Sequence, residues 1–175
     1  MITMGVKGES LTSLTWLEGN EIPKKSAAEK PQPTRLQYGA LPYRILDDAT
    51  VEVLLVTSRA TKQWIIPKGW PIKGLKPGKA AAREAYEEAG VRGRVGHALG
   101  NYIYDKHNRT RQASTPCKVH VFPLVVTRQS RDWPEAKERE AQWCSVSEAA
   151  SRVGNEGLRA LILRLEALNG QSSKK

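Results

Sequence analysis

The chain has 175 residues, of which 39% are hydrophobic and 26% charged, and its formal net charge is +10. This composition is typical of one globular domain, and no apolar run approaches the roughly 20 residues that a membrane-spanning helix needs. The first residues lack the features of a secretory signal, and Cys117 and Cys144 are too few for a disulfide framework. We therefore expect a cytoplasmic protein with two reduced thiols.

The positive charge indicates a broad class of partner. Residues 1–34 contain four lysines and four glutamates, so the whole excess lies in the rest of the chain. A basic body attracts polyanions, which include nucleic acids, acidic membranes and phosphate-rich small molecules. Charge alone does not choose among these partners; the chain has no RNA- or DNA-binding motif and no membrane segment, so nucleic acid is not favoured but stays open. The oligomeric state does not follow from the sequence.

The pattern of polar and apolar residues predicts three regions. Residues 1–34 are polar and contain three prolines, which indicates a flexible N-terminal extension. Residues 35–170 form the predicted domain, and residues 171–175 form a C-terminal tail. Within the domain, strands are predicted at 36–45, 51–58, 63–67, 95–104, 118–127 and 141–146, and helices at 79–90, 145–153 and 157–168. A long basic loop is expected before residue 118. Strands mixed with helices predict an α/β protein with three α/β/α layers.

The helix predicted at 79–90 carries three carboxylates on one side. At about 100° per residue, Glu84, Glu87 and Glu88 lie opposite an apolar face formed by Ala82, Ala85, Tyr86 and Ala89. These charges repel each other, and a hard divalent cation would resolve the conflict. The alternative is an ordinary acidic surface stripe. The preceding loop favours the metal site, because its glycines permit close backbone approach and its lysines suit phosphate oxygens.

The segment from Gly69 to Val91 resembles the Nudix box, the signature of the Nudix hydrolase family. Eight positions match its spacing: Gly69, Arg83, Glu84, Ala85, Glu87, Glu88, Gly90 and Val91. One position departs, because Leu75 stands where the box has a glutamate. In the family that glutamate is usually not a principal metal ligand, so the departure affects detail more than activity.

The resemblance implies a Nudix-type α/β/α sandwich with a mixed β-sheet, and hydrolysis of a diphosphate link with Mg²⁺, or Mn²⁺ in its place. It implies metal ligands at Gly69, Glu84, Glu87 and Glu88, and catalytic roles for Glu87, Glu88 and Arg83. In this scheme the Gly69 ligand is its carbonyl, and Arg83 orients Glu87. Alternatively, the general base comes from a later loop, where the candidates are Glu135, Glu138 and Glu140. We expect each of these to be a surface glutamate rather than the base.

Sequence outside the box resembles, less specifically, the branch that hydrolyses diphosphoinositol polyphosphates and diadenosine polyphosphates. The shared features are an EVLLV-type strand, Ser58-Arg59, the approach Trp64-Ile65-Ile66-Pro67, Asp132-Trp133, and Arg139 four residues before Trp143. This chain has fewer glycines at residues 68–71, and its later loop is longer and less densely basic. We expect the substrate to contact Arg59, Lys68, Trp70, Lys73, Arg109 and Arg111.

Several alternatives remain open at this stage. Trp70 either stacks on a nucleobase or belongs to the core or a lid, and the basic loop that contains Arg109 and Arg111 could be a solvated surface. The substrate could be ADP-ribose, a nucleotide sugar or an RNA 5′ end. In a different class, the chain would be a non-catalytic Nudix protein that binds nucleotide or RNA, although retention of the box glutamates argues against this.

Overall fold

The computed structural model describes residues 33–108 and 113–172. The predicted extension falls almost entirely outside these ranges, and so do Arg109 and Arg111. The described strands are β1 (Arg35–Ile45), β2 (Val51–Thr57), β3 (Trp64–Ile65), β4 (Lys68–Gly69), β5 (Val91–Val95), β6 (Gly100–Asn108), β7 (Ala113–Gln129) and β8 (Ala141–Ser145). The helices are α1 (Pro77–Ala89), α2 (Val146–Arg152) and α3 (Glu156–Ser172).

The sheet is mixed, and β1 lies at its centre. β1 pairs antiparallel with β2 and β4 and parallel with β7. β2 also pairs with β3 and β8, whereas β7 also pairs with β5 and β6, all antiparallel. The short β4 joins β1 through the pairs Tyr38↔Gly69 and Gly39↔Lys68. This pairing ties the start of the Gly-rich loop to the central strand.

Helices cover both faces of the sheet, which confirms the α/β/α sandwich. On one face, Ala81, Ala85 and Ala89 of α1 pack with Leu54 and Leu124 of the sheet. On the other face, α2 and α3 contribute a larger cluster that includes these buried residues: Val146, Ala149, Val153, Leu158, Leu161, Ile162 and Leu165. Truncating a fully buried side chain such as Ile162 to alanine costs roughly 2–5 kcal/mol in comparable cores.

The strand and helix assignments are confirmed in most places and wrong in three. β5 was not predicted, because its sequence VRGRV has two exposed arginines and a glycine, and its pairing with β7 is non-local. The long basic loop is mostly strand, since β6 and β7 pair from Gly100↔Val121 to Asn108↔Ala113. Helix α3 continues to Ser172, two residues into the predicted tail.

Candidate active site

Helix α1 is positioned by local signals at both ends. It begins at Pro77, whose fixed φ suits the first helical position, and it ends at Ala89 before a left-handed Gly90 with φ 70°. The Gly90 N–H donates to the carbonyls of Ala85 and Tyr86. A side chain at residue 90 would also meet the ring of Trp133, so glycine is needed here for space as well as conformation.

The predicted apolar face of α1 is confirmed at Ala85 and Ala89, and its centre lies roughly 50° away from the predicted one, towards Ala81. Ala82 and Tyr86 are half-buried, and the face that meets the sheet consists of Ala81, Ala85 and Ala89. Glu88 lies beside this face and is only 6% exposed. Glu88 is therefore a buried carboxylate rather than a member of a solvated stripe.

Burial of Glu88 is offset by two donors. Nη2 of Arg139 donates to Oε1 of Glu88, and the backbone N–H of Lys68 donates to Oε2 at 3.3 Å. Burial raises the pKa of Glu88 to about 7, although the charges of Arg139 and Lys68 oppose the rise. A buried carboxylate with a raised pKa is a common feature of functional sites.

Arg139 is the residue that connects this site. Its side chain is 6% exposed. Besides Glu88, it binds Oε2 of Glu135 through Nε at 2.5 Å and the carbonyl of Thr57 through Nη1 at 2.9 Å. From the sequence, Arg139 is identified only by its spacing from Trp143, as a feature shared with the polyphosphate branch. Its position at the site was not predicted.

Glu135 also belongs to the site, contrary to its interpretation as a surface glutamate. It binds Arg139, and its backbone N–H donates to the carbonyl of Glu87 at 3.1 Å. By contrast, Glu138 is about half exposed and Glu140 is exposed. The segment after β7 thus brings one carboxylate and one guanidinium to the C-terminal half of α1.

Glu84 lies against the backbone of Gly69. A Cβ built at Gly69 would lie 2.1 Å from Oε1 of Glu84, so only glycine leaves room for this carboxylate. Burial raises the pKa of Glu84, and the charges of Glu87 and Glu135 raise it further. The position of the Glu84 carboxylate on α1 therefore depends on having glycine at residue 69 of the loop.

Glu87 and Arg83 form the predicted ion pair. Nε of Arg83 donates to Oε1 of Glu87 at 2.7 Å, four residues along α1. The arrangement is the one expected if Arg83 orients Glu87, and the catalytic role of both residues stays a prediction. Because Arg83 is 57% exposed, this pair contributes little to stability by itself.

The carboxylates fit a hard divalent cation in their chemistry. Within 33–108 and 113–172, no group of three His, Cys, Asp or Glu side chains is close enough to hold a metal ion. Glu84 contacts Gly69, Glu87 binds Arg83, and Glu88 binds Arg139. The carboxylates nevertheless act on one another through their charges. Burial is the main cause of the raised pKa values of Glu84 and Glu88, and the charge of Glu135 raises both further. Carboxylate oxygens of one sign, with Glu88 buried and Glu84 and Glu87 partly buried, are the type of donor that Mg²⁺ or Mn²⁺ prefers.

Aromatic and basic side chains lie next to these carboxylates. Lys68 is partly buried, with Nζ 5.1 Å from the ring centroid of Tyr104, and burial lowers the pKa of Lys68 to about 8. The ring of Trp70 is contacted by two cations, with Cζ of Arg35 at 3.9 Å and Nζ of Lys106 at 4.8 Å from its centroid. Trp70 is therefore neither fully buried nor an unoccupied stacking surface.

The remaining predicted substrate contacts are Lys73, Arg59, Arg109 and Arg111. Lys73 is exposed in the loop before α1. Arg59 is 58% exposed, and its Nη1 lies 3.4 Å from Glu135 and from Glu138, so it reaches the site through an ion pair. Lys68, Trp70 and Arg59 thus lie around the carboxylates, whereas Arg109 and Arg111 lie outside the described residues.

Comparison with known proteins identifies the class that this fold and site define. The NUDIX domain model matches residues 38–165, so the chain belongs to the Nudix family. It is a hydrolase of that family and acts on acid anhydrides in phosphorus-containing compounds.

Two curated relatives show the similarity over most of the chain. Nudix hydrolase 21, chloroplastic, of Arabidopsis thaliana is 31% identical over 166 residues, which is 93% of this chain and 79% of that protein. Diphosphoinositol polyphosphate phosphohydrolase 2 of Homo sapiens is 37% identical over 131 residues, with 70% and 68% of the two chains covered.

Two solved structures share the fold. A C. elegans Ap4A hydrolase binary complex superposes with a TM-score of 0.60 at 20% identity, and covers 79% of this chain and 99% of that one. The NUDIX domain of Shewanella oneidensis NrtR with ADP ribose gives 0.59 at 14% identity, with coverage of 78% and 90%.

Neither the relatives nor the helices establish a compartment. Among the described residues, no helix is long and apolar enough to cross a membrane. The relatives include proteins named as chloroplastic and mitochondrial, both from Arabidopsis thaliana. The cytoplasmic location expected from the sequence therefore stays a prediction.

Proposed function

We propose that this chain is a metal-dependent pyrophosphohydrolase whose substrate carries several phosphates, such as a diadenosine polyphosphate or a diphosphoinositol polyphosphate. The observation that carries the proposal is the placement of basic side chains beside the buried carboxylate of Glu88 and the loop at Gly69. The charge of Lys68 lowers the pKa of Glu88 against the effect of burial, and Arg35 and Lys106 contact Trp70 one residue beyond Gly69. These cations would replace the counterions that a highly charged substrate loses on binding.

The carboxylates support a divalent cation, Mg²⁺ or Mn²⁺, held by Glu84, Glu87 and Glu88 with the carbonyl of Gly69. Such a cation would supply positive charge to offset that of the phosphates and would lower the pKa of a bound water. The absence of a side chain at Gly69 lets the Glu84 carboxylate approach the backbone of the loop. The proposed ligands therefore come from both the loop and α1.

The chain's own residues position the reaction. Arg83 holds one oxygen of Glu87, whose other oxygen can accept a proton from the attacking water. Water oxygen bonds to phosphorus, the anhydride P–O bond breaks, and the other phosphate leaves. Arg139 holds Glu88 and Glu135 in place. Lys68 and the cations around Trp70 bind phosphates that do not react.

The similarity to diphosphoinositol polyphosphate phosphohydrolase 2 supports the multi-phosphate class of substrate. An RNA 5′ end is the second candidate, because cations interleaved with aromatic rings, as at Trp70, also suit single-stranded nucleic acid. ADP-ribose is the comparison substrate, since it carries one diphosphate.

The test is turnover of diadenosine tetraphosphate, a diphosphoinositol polyphosphate, ADP-ribose and 5′-triphosphate RNA, each with Mg²⁺ and with EDTA. We expect kcat/KM for one of the first two to exceed that for ADP-ribose by about tenfold or more, a difference of about 1.4 kcal/mol or more. We also expect no turnover in EDTA. ADP-ribose as the best substrate would reject the multi-phosphate assignment, and full activity in EDTA would reject the metal.

A further inference from the structure

A cavity opens beside α1, on the side of the helix away from Glu88. Its volume is about 290 Å³, and it lies between α1 and β5. Six residues line it: Lys79, Ala82, Arg83, Tyr86, Arg92 and Gly93. Three of these side chains are cations, and none is a carboxylate.

The cavity is on the opposite side of α1 from Glu88. At about 100° per residue, its four α1 residues fall within roughly 100° of one another, and Glu88 projects about 180° from the middle of that stripe. The buried face of α1, with Ala81, Ala85 and Ala89, also lies outside the stripe. A ligand in this cavity would therefore be separate from a group bound at Glu88, and the two positions adjoin only through the Arg83–Glu87 pair.

The cations of the cavity are arranged to bind an anion. Cζ of Arg92 lies 3.8 Å from the ring centroid of Tyr86, so the guanidinium contacts the ring through its flat surface. An arginine stacked in this way keeps the N–H donors along its edge for hydrogen bonds. Lys79 is exposed and adds three further donors.

Arg83 links the cavity to the site on α1. Its hydrogen bond to Glu87 uses Nε. The two terminal nitrogens of the guanidinium carry four more N–H donors. In addition, the exposed Arg128 of β7 lies opposite Arg92 of β5 in the antiparallel register. Its charge increases the positive potential around the opening. Planar guanidinium groups match the oxygens of phosphate well.

We propose that this cavity is a second anion site that binds a phosphate or diphosphate group, distinct from the substrate site. Its volume suits an inorganic ion or the phosphorylated end of a small molecule, and lies at the lower limit of roughly 300 Å³ for pockets that hold whole ligands. Tyr86 is already covered by Arg92, so the cavity offers no open ring to a nucleobase. The proposal goes beyond hydrolysis and does not depend on it.

The experiment is a titration of the ¹⁵N-labelled full-length chain with inorganic pyrophosphate in EDTA, followed by NMR. We expect saturable shifts at the amides of Lys79, Tyr86 and Gly93. The variant Lys79→Gln/Arg92→Gln should weaken this binding by about tenfold or more, because it removes two charge-assisted contacts. The control Arg94→Gln/Lys137→Gln removes the same charge from exposed residues that do not line the cavity.

Two further titrations distinguish a free phosphate from a phosphate carried by a nucleotide. Inorganic phosphate and adenosine monophosphate are titrated in the same way, and equal affinities for the two indicate that only the phosphate group is recognised. Lys79→Gln alone provides a variant that leaves the Arg92–Tyr86 contact intact, in case the double variant fails to fold.

Shifts confined to the Gly-rich loop and Glu84–Glu88, or equal weakening in both double variants, would overturn the proposal. Because metal is chelated and turnover is not measured, this result is independent of the proposed hydrolysis. An inactive protein could still bind pyrophosphate in the cavity, and an active one could fail to do so.

Discussion

The guanidinium of Arg139 donates to the buried carboxylate of Glu88, although 51 positions separate the two residues in the chain. Arg139 also binds Glu135, so one buried cation compensates two carboxylates. Buried charges of this kind are costly unless each is paired. This relationship therefore determines both the stability of the site and the placement of its glutamates.

Replacing Arg139 with alanine should destabilise the fold by about 3–5 kcal/mol at pH 8, because it leaves the buried Glu88 without its cation and removes the pair with the partly exposed Glu135. Denaturant unfolding measures this loss. The loss should be smaller at pH 5, where Glu88 is protonated. Arg152→Ala, which breaks an exposed pair with Glu148, is the control and should cost no more than about 1 kcal/mol. A similar small cost at both positions would contradict the buried network.

Glu88→Gln should lower kcat by about a hundredfold or more, because it removes a proposed metal ligand and its stabilisation of transition-state charge. The fold should remain intact, since the neutral amide replaces a carboxylate whose pKa burial has raised. Steady-state kinetics with Mg²⁺, together with the unfolding midpoint, test both statements. Wild-type activity in this variant would remove Glu88 from the metal site.

The stability of the metal-free protein should depend on the pKa of Glu88. This pKa is raised from 4.5 to about 7, so the folded state holds the proton more tightly than the unfolded state. The resulting stabilisation is complete below about pH 4.5 and is lost as the pH rises through 7, and it amounts to roughly 3 kcal/mol at most. Unfolding of the wild type and of Glu88→Gln from pH 4.5 to 8 measures it. Parallel pH profiles for the two proteins would show that Glu88 is not the group.

Gly69→Ala should abolish turnover by displacing Glu84, because the added Cβ would lie 2.1 Å from Oε1 of that carboxylate. A loss of kcat of about a hundredfold or more is expected, since misplacement of a reacting group by about 1 Å already has an effect of that size. Gly154→Ala is the matched control, because a Cβ there meets nothing within 4 Å. Equal activity of the two variants would show that the close approach has no role.

Neutralising Arg109 and Arg111 together should raise KM for a polyphosphate substrate and leave KM for ADP-ribose nearly unchanged, because only a longer substrate needs the extra charge. Higher salt should act in the same direction, since it screens exposed charges beyond about 10 Å at 0.1 M. Comparing kcat/KM for both substrates in the wild type and the double variant tests this. Arg131→Gln/Lys137→Gln controls for net charge, and equal losses on both substrates would contradict the prediction.

Local sequence determined the part of this protein in which neighbouring residues act together. The spacing from Gly69 to Gly90 predicted α1, its left-handed cap and the order of its glutamates, because helix geometry depends on residues three and four apart. The apolar stretches LQYGALPYRI and VEVLLVTS, joined by a turn at Asp47–Ala49, likewise predicted β1 and β2. These patterns do not depend on the rest of the chain.

Only the tertiary structure decided which charges are buried together. Arg139 and Glu135 reach α1 because the segment after β7 packs on Gly90 through Trp133, and β5 exists because β7 pairs with it. Glu88 and Lys68 were predicted as a metal ligand and a substrate contact, but their burial and the resulting pKa shifts were not predicted. Burial and pairing between residues distant in the chain depend on how the elements pack, and no local pattern of residues records that packing.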